Sequence, residues 1–180
     1  MPKLIKDRAL VDDAWTLLRD ADALAHVPDG VPVIVPLALW RERRAALCAR
    51  GDVGVWLKPD DDPEALADDL RLVPLIAVDF PQFTDGRGYS SARLLREKYN
   101  FSGELRAIGD ILRDQLYYLE ASGFNAFAVR ADRDAGQALA GLDDFCDNYQ
   151  ATVTRPEPLY RRRTLARGDA PAPSTRGVTR

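Results

Sequence analysis

Residues 73–80, VPLIAVDF, form the apolar run that decides the predicted fold. A strand that is buried on both faces carries apolar side chains at nearly every position, so this run predicts a central strand of a parallel sheet covered by helices. Asp79 interrupts the run near its carboxyl end, where the ligand sites of parallel α/β sheets collect. The run therefore predicts a fold class and the edge of the sheet at which a site lies.

Outward from this run, apolar strand patterns alternate with amphipathic helix patterns. The predicted strands cover residues 31–37, 53–57, 73–80, 104–108 and 125–130. The predicted helices cover residues 39–50, 63–72, 91–99, 110–122 and 134–149. Because strands that alternate with helices need crossover connections, the sheet should be mainly parallel. We predict an α/β fold of about five β-α units, and both an open doubly wound sheet and an incomplete (βα) barrel fit this pattern.

Length and charge together indicate one domain followed by a basic tail. A chain of 180 residues that is 46% hydrophobic can bury one core. Six arginines and one aspartate give residues 160–180 a net charge of +5, which leaves −8 for residues 1–159. We predict a single domain over residues 1–159, with a hairpin or extended arm over residues 3–18, and a disordered tail over residues 160–180. The acidic domain argues against a nucleic-acid partner.

The chain lacks the residues that several classes of protein function require. The chain has no apolar run long enough to span a membrane and no signal-peptide core, so we expect a cytoplasmic protein. Cys48, Cys146 and His26 are too few and too far apart for a zinc site or a disulfide framework. No dinucleotide fingerprint or phosphate loop is present. We therefore predict no metal site and no cofactor in the isolated chain.

The loop TDGRGYS, residues 84–90, is the first candidate ligand site. Glycines permit close approach of the backbone, free N–H groups at a helix start favour an anion, and an arginine adds a forked contact. The predicted ligand-binding residues are Asp85, Gly86, Arg87, Gly88 and Ser90. In the alternative interpretation the aspartate and glycine form a tight turn and the serine caps the helix, which leaves the arginine without a role.

A second set of charged residues is expected around the same edge of the sheet. Asp79 and Asp110 are the candidate catalytic residues, since two carboxylates at neighbouring strand ends can face each other across a cleft. Arg87 or Arg106 would lie between them, and Arg113 is a further candidate for binding a small anion. The alternative is a structural network of salt bridges, because many of these charges are spaced to pair on one helix.

The aromatic residues indicate packing or an interface. Tyr117, Tyr118, Phe124 and Phe127 have the spacing of core or interface side chains. An incomplete barrel would also leave an exposed edge that tends to find a partner. A homodimer is therefore predicted for that version of the fold.

The sequence also resembles a known family. The segment GVWLKPDDDPEALADDL and the blocks DGRGYS, ARLLRE, GELRA and LRDQL closely resemble the bacterial domain-of-unknown-function family 934, with similarity from about residue 4 to residue 149. The resemblance implies a gene beside that of the haem and iron–sulfur subunit of assimilatory sulfite reductase. It also implies the label of an oxidoreductase in sulfite reduction. No residue set in the chain would hold a flavin, haem or iron–sulfur cluster by itself.

Three functions follow from these observations. We expect an accessory or partner protein of assimilatory sulfite reduction, whose partner is the sulfite reductase haem/iron–sulfur subunit. The alternative is an enzyme that acts on a small anionic metabolite, with Asp79 or Asp110 as base and Arg87 or Arg106 as anion clamp. In a third interpretation the 84–90 loop is only structural.

Overall fold

A computed structural model describes residues 2–166 of the protein. The strands are β1 (Lys3–Lys6), β2 (Ala9–Asp12), β3 (Thr16–Leu17), β4 (Val33–Pro36), β5 (Val53–Leu57), β6 (Leu75–Phe80), β7 (Glu104–Gly109) and β8 (Ala126–Phe127). The α-helices are α1 (Leu37–Arg50), α2 (Arg87–Arg93), α3 (Leu116–Ala121), α4 (Ala135–Leu139) and α5 (Leu159–Ala166). The 3-10 segments are Ala21–His26, Pro63–Asp69, Arg113–Gln115 and Ala140–Asp143, and a π-helical turn, Leu94–Lys98, continues α2.

All eight strands belong to one sheet in the order β2-β1-β8-β7-β6-β5-β4-β3. The strands from β3 to β8 are parallel, and each pairs with the strand that follows it in the chain. A doubly wound sheet reverses its strand order at a switch point, and this order contains no reversal. The protein is therefore a mixed α/β half-barrel with a curled, open, mostly parallel sheet. Six strands are parallel instead of the five predicted, because the segment predicted as an N-terminal arm, residues 3–18, contains β3.

The two faces of the curled sheet carry separate apolar clusters. On β6, Ile76, Val78 and Phe80 pack into the large cluster that also contains the buried side chains of α1 to α4. Leu75 and Ala77 face the other way, into a small cluster on the concave side. Since side chains alternate along a strand, Asp79 also points to the concave side. All helices that contribute to the core therefore lie on the convex side.

The N-terminal segment supplies both edge strands of the sheet, β2 and β3, and packs on its concave side. β1 pairs with β2 as an antiparallel hairpin and with β8, also antiparallel. Beyond the hairpin, Trp15 and Leu17 pack on the concave cluster, and Trp56 donates a hydrogen bond of 2.9 Å from Nε1 to the Leu18 carbonyl oxygen. The predicted tail starts within α5, and residues 167–180 lie outside the described part of the chain.

Several predicted elements are present with different boundaries. The predicted helix over residues 110–122 begins only at the turn Arg113–Gln115, because Asp110 bonds elsewhere. The predicted helix over residues 63–72 is the 3-10 segment Pro63–Asp69, where Asp62 accepts a hydrogen bond of 2.9 Å from the Glu64 backbone. The predicted last strand is reduced to β8, and the predicted last helix to α4 with a 3-10 turn.

Candidate functional site

Asp79 is a buried carboxylate at the carboxyl end of the central strand β6. Its residue surface is 8% exposed, and Arg19 places Nη1 2.9 Å from Asp79 Oδ1. Within residues 2–166, no donor reaches Oδ1 with hydrogen-bond geometry, so the Arg19 contact is an ion pair only. Arg19 also lies over the Trp56 ring, 5.1 Å from its centroid, which holds the guanidinium above the carboxylate. Asp79 Oδ1 can therefore still accept a hydrogen bond, and the Arg19 guanidinium lies next to it.

Asp110 lies just beyond the end of β7 and holds the next loop in place. Its Oδ2 accepts a hydrogen bond of 3.0 Å from the Phe83 backbone, and its Oδ1 accepts one of 2.8 Å from Arg130 Nη1. Arg130 also donates to Asp132, and the Asp132 and Asp110 carboxylates together raise the pKa of Arg130. Both oxygens of Asp110 are therefore already engaged.

Asp79 and Asp110 lie at the ends of neighbouring strands, but each has its own arginine partner. Arg87 and Arg106 form their described ion pairs with other carboxylates. The geometry therefore brings the two predicted catalytic residues to one edge of the sheet without placing either predicted clamp between them. Their catalytic roles stay predictions.

The guanidinium of Arg87 is bonded within its own loop. Asp85 accepts from Arg87 Nε at 3.0 Å and from Nη2 at 2.7 Å, and Asp60, in the connection after β5, accepts from Nη1. The paired Arg87 guanidinium lowers the pKa of Asp85, and the Asp85 hydrogen bond raises the pKa of Arg87. The Arg87 guanidinium is therefore paired with two carboxylates. Gly86 is the residue that immediately precedes helix α2.

The other loop residues lie within α2. A Cβ on Gly88 would come within 2.5 Å of the Phe80 ring, so this glycine allows α2 to pack closely on β6. Ser90 is exposed, and because α2 already begins at Arg87 it occupies the helix interior rather than the cap. Both residues stay predictions as ligand contacts.

Arg106 lies in a buried ion-pair network on the concave side. It is 2% exposed, and its guanidinium lies 2.7 Å from Glu104 Oε1 and 2.9 Å from Asp13 Oδ2. Lys6 completes the network with Nζ 2.7 Å from Glu104 Oε2. The four charges sum to zero. Arg113 lies elsewhere, on the turn before α3, with Nη2 2.6 Å from Asp144 Oδ1.

A groove of about 840 Å³ lies between α2, α3 and the segment after residue 147. Its lining includes Phe83, Tyr118 and Tyr149, which are 44%, 51% and 72% exposed, together with Tyr89 and Gln115. Tyr118 was predicted as a core or interface residue, and its exposure and the neighbouring rings favour the interface. The sequence prediction did not identify the groove, because its rings come from three distant segments.

Two charged residues at strand ends were not among the predicted site residues. Arg19 follows the short run WTLL, which was assigned to an arm, and Arg130 follows NAFAV at the end of the last predicted strand. Each is a charged residue directly after an apolar run, the same signal that identified Asp79. Reading that signal at every strand would have found both.

The described part of the chain shows neither a metal-binding cluster nor a membrane-spanning helix. Residues 2–166 contain no group of three or more histidine, cysteine, aspartate or glutamate side chains placed to hold a metal ion. Within the same residues, no helix has the length and apolar character needed to cross a bilayer.

The fold and these sites define an α/β half-barrel protein with a charged strand edge and an aromatic groove on its convex side. The chain belongs to the family described as "Bacterial protein of unknown function (DUF934)", whose model matches residues 54–160. The match covers the strands from β5 to β8, the loop of residues 84–90 and the segment that lines the groove. The sequence matches none of the curated proteins with which it was compared.

Proposed function

We propose that this protein is a cytoplasmic accessory partner of assimilatory sulfite reduction that binds the haem/iron–sulfur subunit of sulfite reductase. The connection to sulfite reduction rests on the gene neighbourhood that the family resemblance implies. The binding role rests on one structural observation, the aromatic groove between α2 and α3. The pathway and the binding surface are supported independently, so growth on sulfate tests the first and a pull-down tests the second.

The groove has the composition of a protein-binding surface. Aromatic side chains are enriched in interfaces because they bury a large area with few rotatable bonds. Phe83, Tyr118 and Tyr149 all line the groove and are substantially exposed instead of packing in the core. Exposed large apolar side chains that share one groove are typical of an interaction site.

The predicted anion clamps support the same choice. Arg87 is paired with Asp85 and Asp60, and Arg106 with Glu104 and Asp13. An incoming anion would have to displace carboxylates that already neutralise these cations. The charges of the loop therefore favour a structural role, which leaves the groove as the better candidate for function.

A growth assay with matched variants tests the proposal. A strain without the gene should grow more slowly on sulfate as sole sulfur source and normally on cysteine. Tyr118→Ser should fail to restore growth and should fail to recover sulfite reductase in a pull-down. Leu72→Ser, which alters an apolar residue of the same 51% exposure elsewhere on the surface, should restore both. Normal growth of the deleted strain on sulfate would contradict the pathway, and recovery of the enzyme by Tyr118→Ser would contradict the groove.

An enzyme acting on a small anionic metabolite is the second candidate, favoured by the buried Asp79 beneath Arg19. A carboxylate with a free acceptor site at the carboxyl edge of a parallel sheet has the position of a general base. Sulfur oxyanions or phosphorylated metabolites should then raise the melting temperature of the wild type. Arg19→Gln should abolish this effect, and Arg87→Ala should abolish it only if the loop takes part. A ligand effect that survives Arg19→Gln would refute this site.

A homodimer remains our proposal for the open sheet. β2 and β3 are its two edge strands, and Leu10 on β2 is 42% exposed. Unpaired edge strands offer backbone donors and acceptors to a second copy. Light scattering should give twice the monomer mass, and Leu10→Lys should shift it toward the monomer. A monomer mass for the wild type would exclude the dimer.

A further inference from the structure

A small polar cavity lies apart from the strand edge and next to the aromatic groove, with which it shares the lining residues Ala121 and Asn148. It has a volume of about 320 Å³ and lies between the β1–β2 turn, α3 and the segment of residues 142–155. Its lining includes Tyr117, Arg8, Glu120, Asp143 and Arg155. This volume is at the lower end of the range for small-molecule sites, so it suits a compact ligand.

Tyr117, which lines the cavity, has a buried hydroxyl without a partner among the described residues. Tyr117 is 8% exposed, and within residues 2–166 no group forms a hydrogen bond with its hydroxyl oxygen. Its ring packs against Phe145, with centroids 5.0 Å apart, and against Tyr118, at 5.5 Å, which restricts its orientation. Burial raises the pKa of Tyr117, so the hydroxyl stays protonated at neutral pH and can donate a hydrogen bond. A buried donor without an acceptor costs stability unless a ligand supplies one.

The remaining capacity of the lining is mainly for donating hydrogen bonds. Arg8 binds both carboxylate oxygens of Glu120 and Oδ1 of Asp143. Arg155 uses only Nη1, which donates to the Cys146 carbonyl oxygen at 3.0 Å and to Asp147 at 3.2 Å. Among the described residues, its Nε and Nη2 have no partner. These two nitrogens form one edge of the guanidinium, the edge that binds a carboxylate or oxyanion with two parallel hydrogen bonds.

We propose that this cavity binds a compact anion with at least two acceptor oxygens, a carboxylate or an inorganic oxyanion. Arg155 binds two of its oxygens through Nε and Nη2, and the Tyr117 hydroxyl donates to one of them. The site goes beyond the proposed partner binding, because it shares neither Phe83 nor Tyr149 with the groove. It is also separate from Asp79 and its arginine.

Titration of ¹⁵N-labelled protein with sulfate, phosphate and acetate at constant ionic strength tests this site. Chloride is the reference ion, and the three anions separate tetrahedral oxyanions from carboxylates. We expect saturable amide shifts around Tyr117 and Arg155 with a Kd on the order of 1 mM, since an ion of few atoms gains little binding energy. Tyr117→Phe and Arg155→Gln should each weaken binding about tenfold or more, the usual loss for one hydrogen bond to a charged group.

Tyr118→Phe is the matched control, because it removes a hydroxyl from the adjacent, exposed ring and should leave the Kd unchanged. Both tyrosine variants keep their rings, so their folding should be preserved. Absence of saturable shifts for all three anions would overturn the proposal. Shifts centred on Arg19, or unchanged affinity in Tyr117→Phe, would do the same.

Discussion

Replacement of Gly109 by alanine should separate the ends of the two central strands. Gly109 is the last residue of β7, pairs with Phe80 in the parallel ladder, and has a φ of +99°. A Cβ at this position would lie 2.3 Å from the Phe80 carbonyl oxygen and 3.0 Å from Asp79 Oδ1. The first contact is with backbone, so a side-chain rotation cannot relieve it.

The cost has three parts that can be estimated separately. An L-residue in this backbone region costs about 1–3 kcal/mol. Relieving the clash moves β7 away from β6, which costs a further 1–3 kcal/mol or so, as for an overpacked core. The same movement weakens the hydrogen bond of 2.7 Å from the Asp110 backbone to the Phe80 carbonyl oxygen, worth about 1 kcal/mol. We expect Gly109→Ala to lower the free energy of unfolding by about 3–7 kcal/mol and the melting temperature by roughly 10–20 °C.

Gly51→Ala is the control that isolates the steric part. Gly51 follows α1 with a φ of +81°, and an added Cβ would meet no atom within 4 Å. This variant carries only the backbone strain, about 1–3 kcal/mol. Urea denaturation followed by circular dichroism compares the two variants with the wild type. If Gly109→Ala is no more destabilising than Gly51→Ala, the close approach of the strand ends is refuted.

Three further variants test buried polar groups, each by urea denaturation. The hydrogen bond from Arg44 lowers the pKa of buried Asp69, so the stability that Asp69 contributes is complete above its unfolded pKa of about 3.9 and is lost as the pH falls through the lower folded value. Asp69→Asn should therefore be less stable by about 1–3 kcal/mol at pH 7, with the difference vanishing in acid; a constant difference would contradict this. Arg106→Leu should cost about 3–5 kcal/mol, and adding Glu104→Gln should recover part of it; a neutral single variant would contradict the buried network. Tyr117→Phe should raise the free energy of unfolding by about 1 kcal/mol in anion-free buffer, because the unpartnered hydroxyl is removed; a loss of stability would contradict that assignment.

Much of the architecture could be predicted from the apolar runs alone. The 73–80 run became β6, and the 53–57 run became β5 with unchanged bounds. The alternation of strands with helices indicated a mainly parallel sheet, and an incomplete barrel was one of the two topologies that fitted. The choice between them depended on which strands are neighbours. Neighbouring strands are set by tertiary packing, which local periodicity does not encode.

The first parallel strand was missed because it is only two residues long. Thr16–Leu17 pairs with Val33 and Ile34 of β4, but so short a run carries no alternation that a sequence pattern can detect. Its carboxyl end leads directly to Arg19, so missing the strand also meant missing the arginine above Asp79. An error in one short element thus removed one half of an ion pair from the predicted site.

The interpretation of the 84–90 loop changed for a related reason. From the sequence, an anion site and a purely structural turn fit this loop equally well, because the turn leaves Arg87 without a role. That premise depends on the sequence neighbours of Arg87 alone. Asp60 lies 27 residues before Arg87 in the chain, yet its carboxylate bonds to Nη1 in the folded protein. With Asp85 also paired, the charge that was expected to attract a ligand is neutralised twice. A free donor pair is found instead at Arg155, which lines the same cavity as Tyr117. The stronger argument for an anion therefore lies at residues that are far apart in the sequence and come together only in the fold.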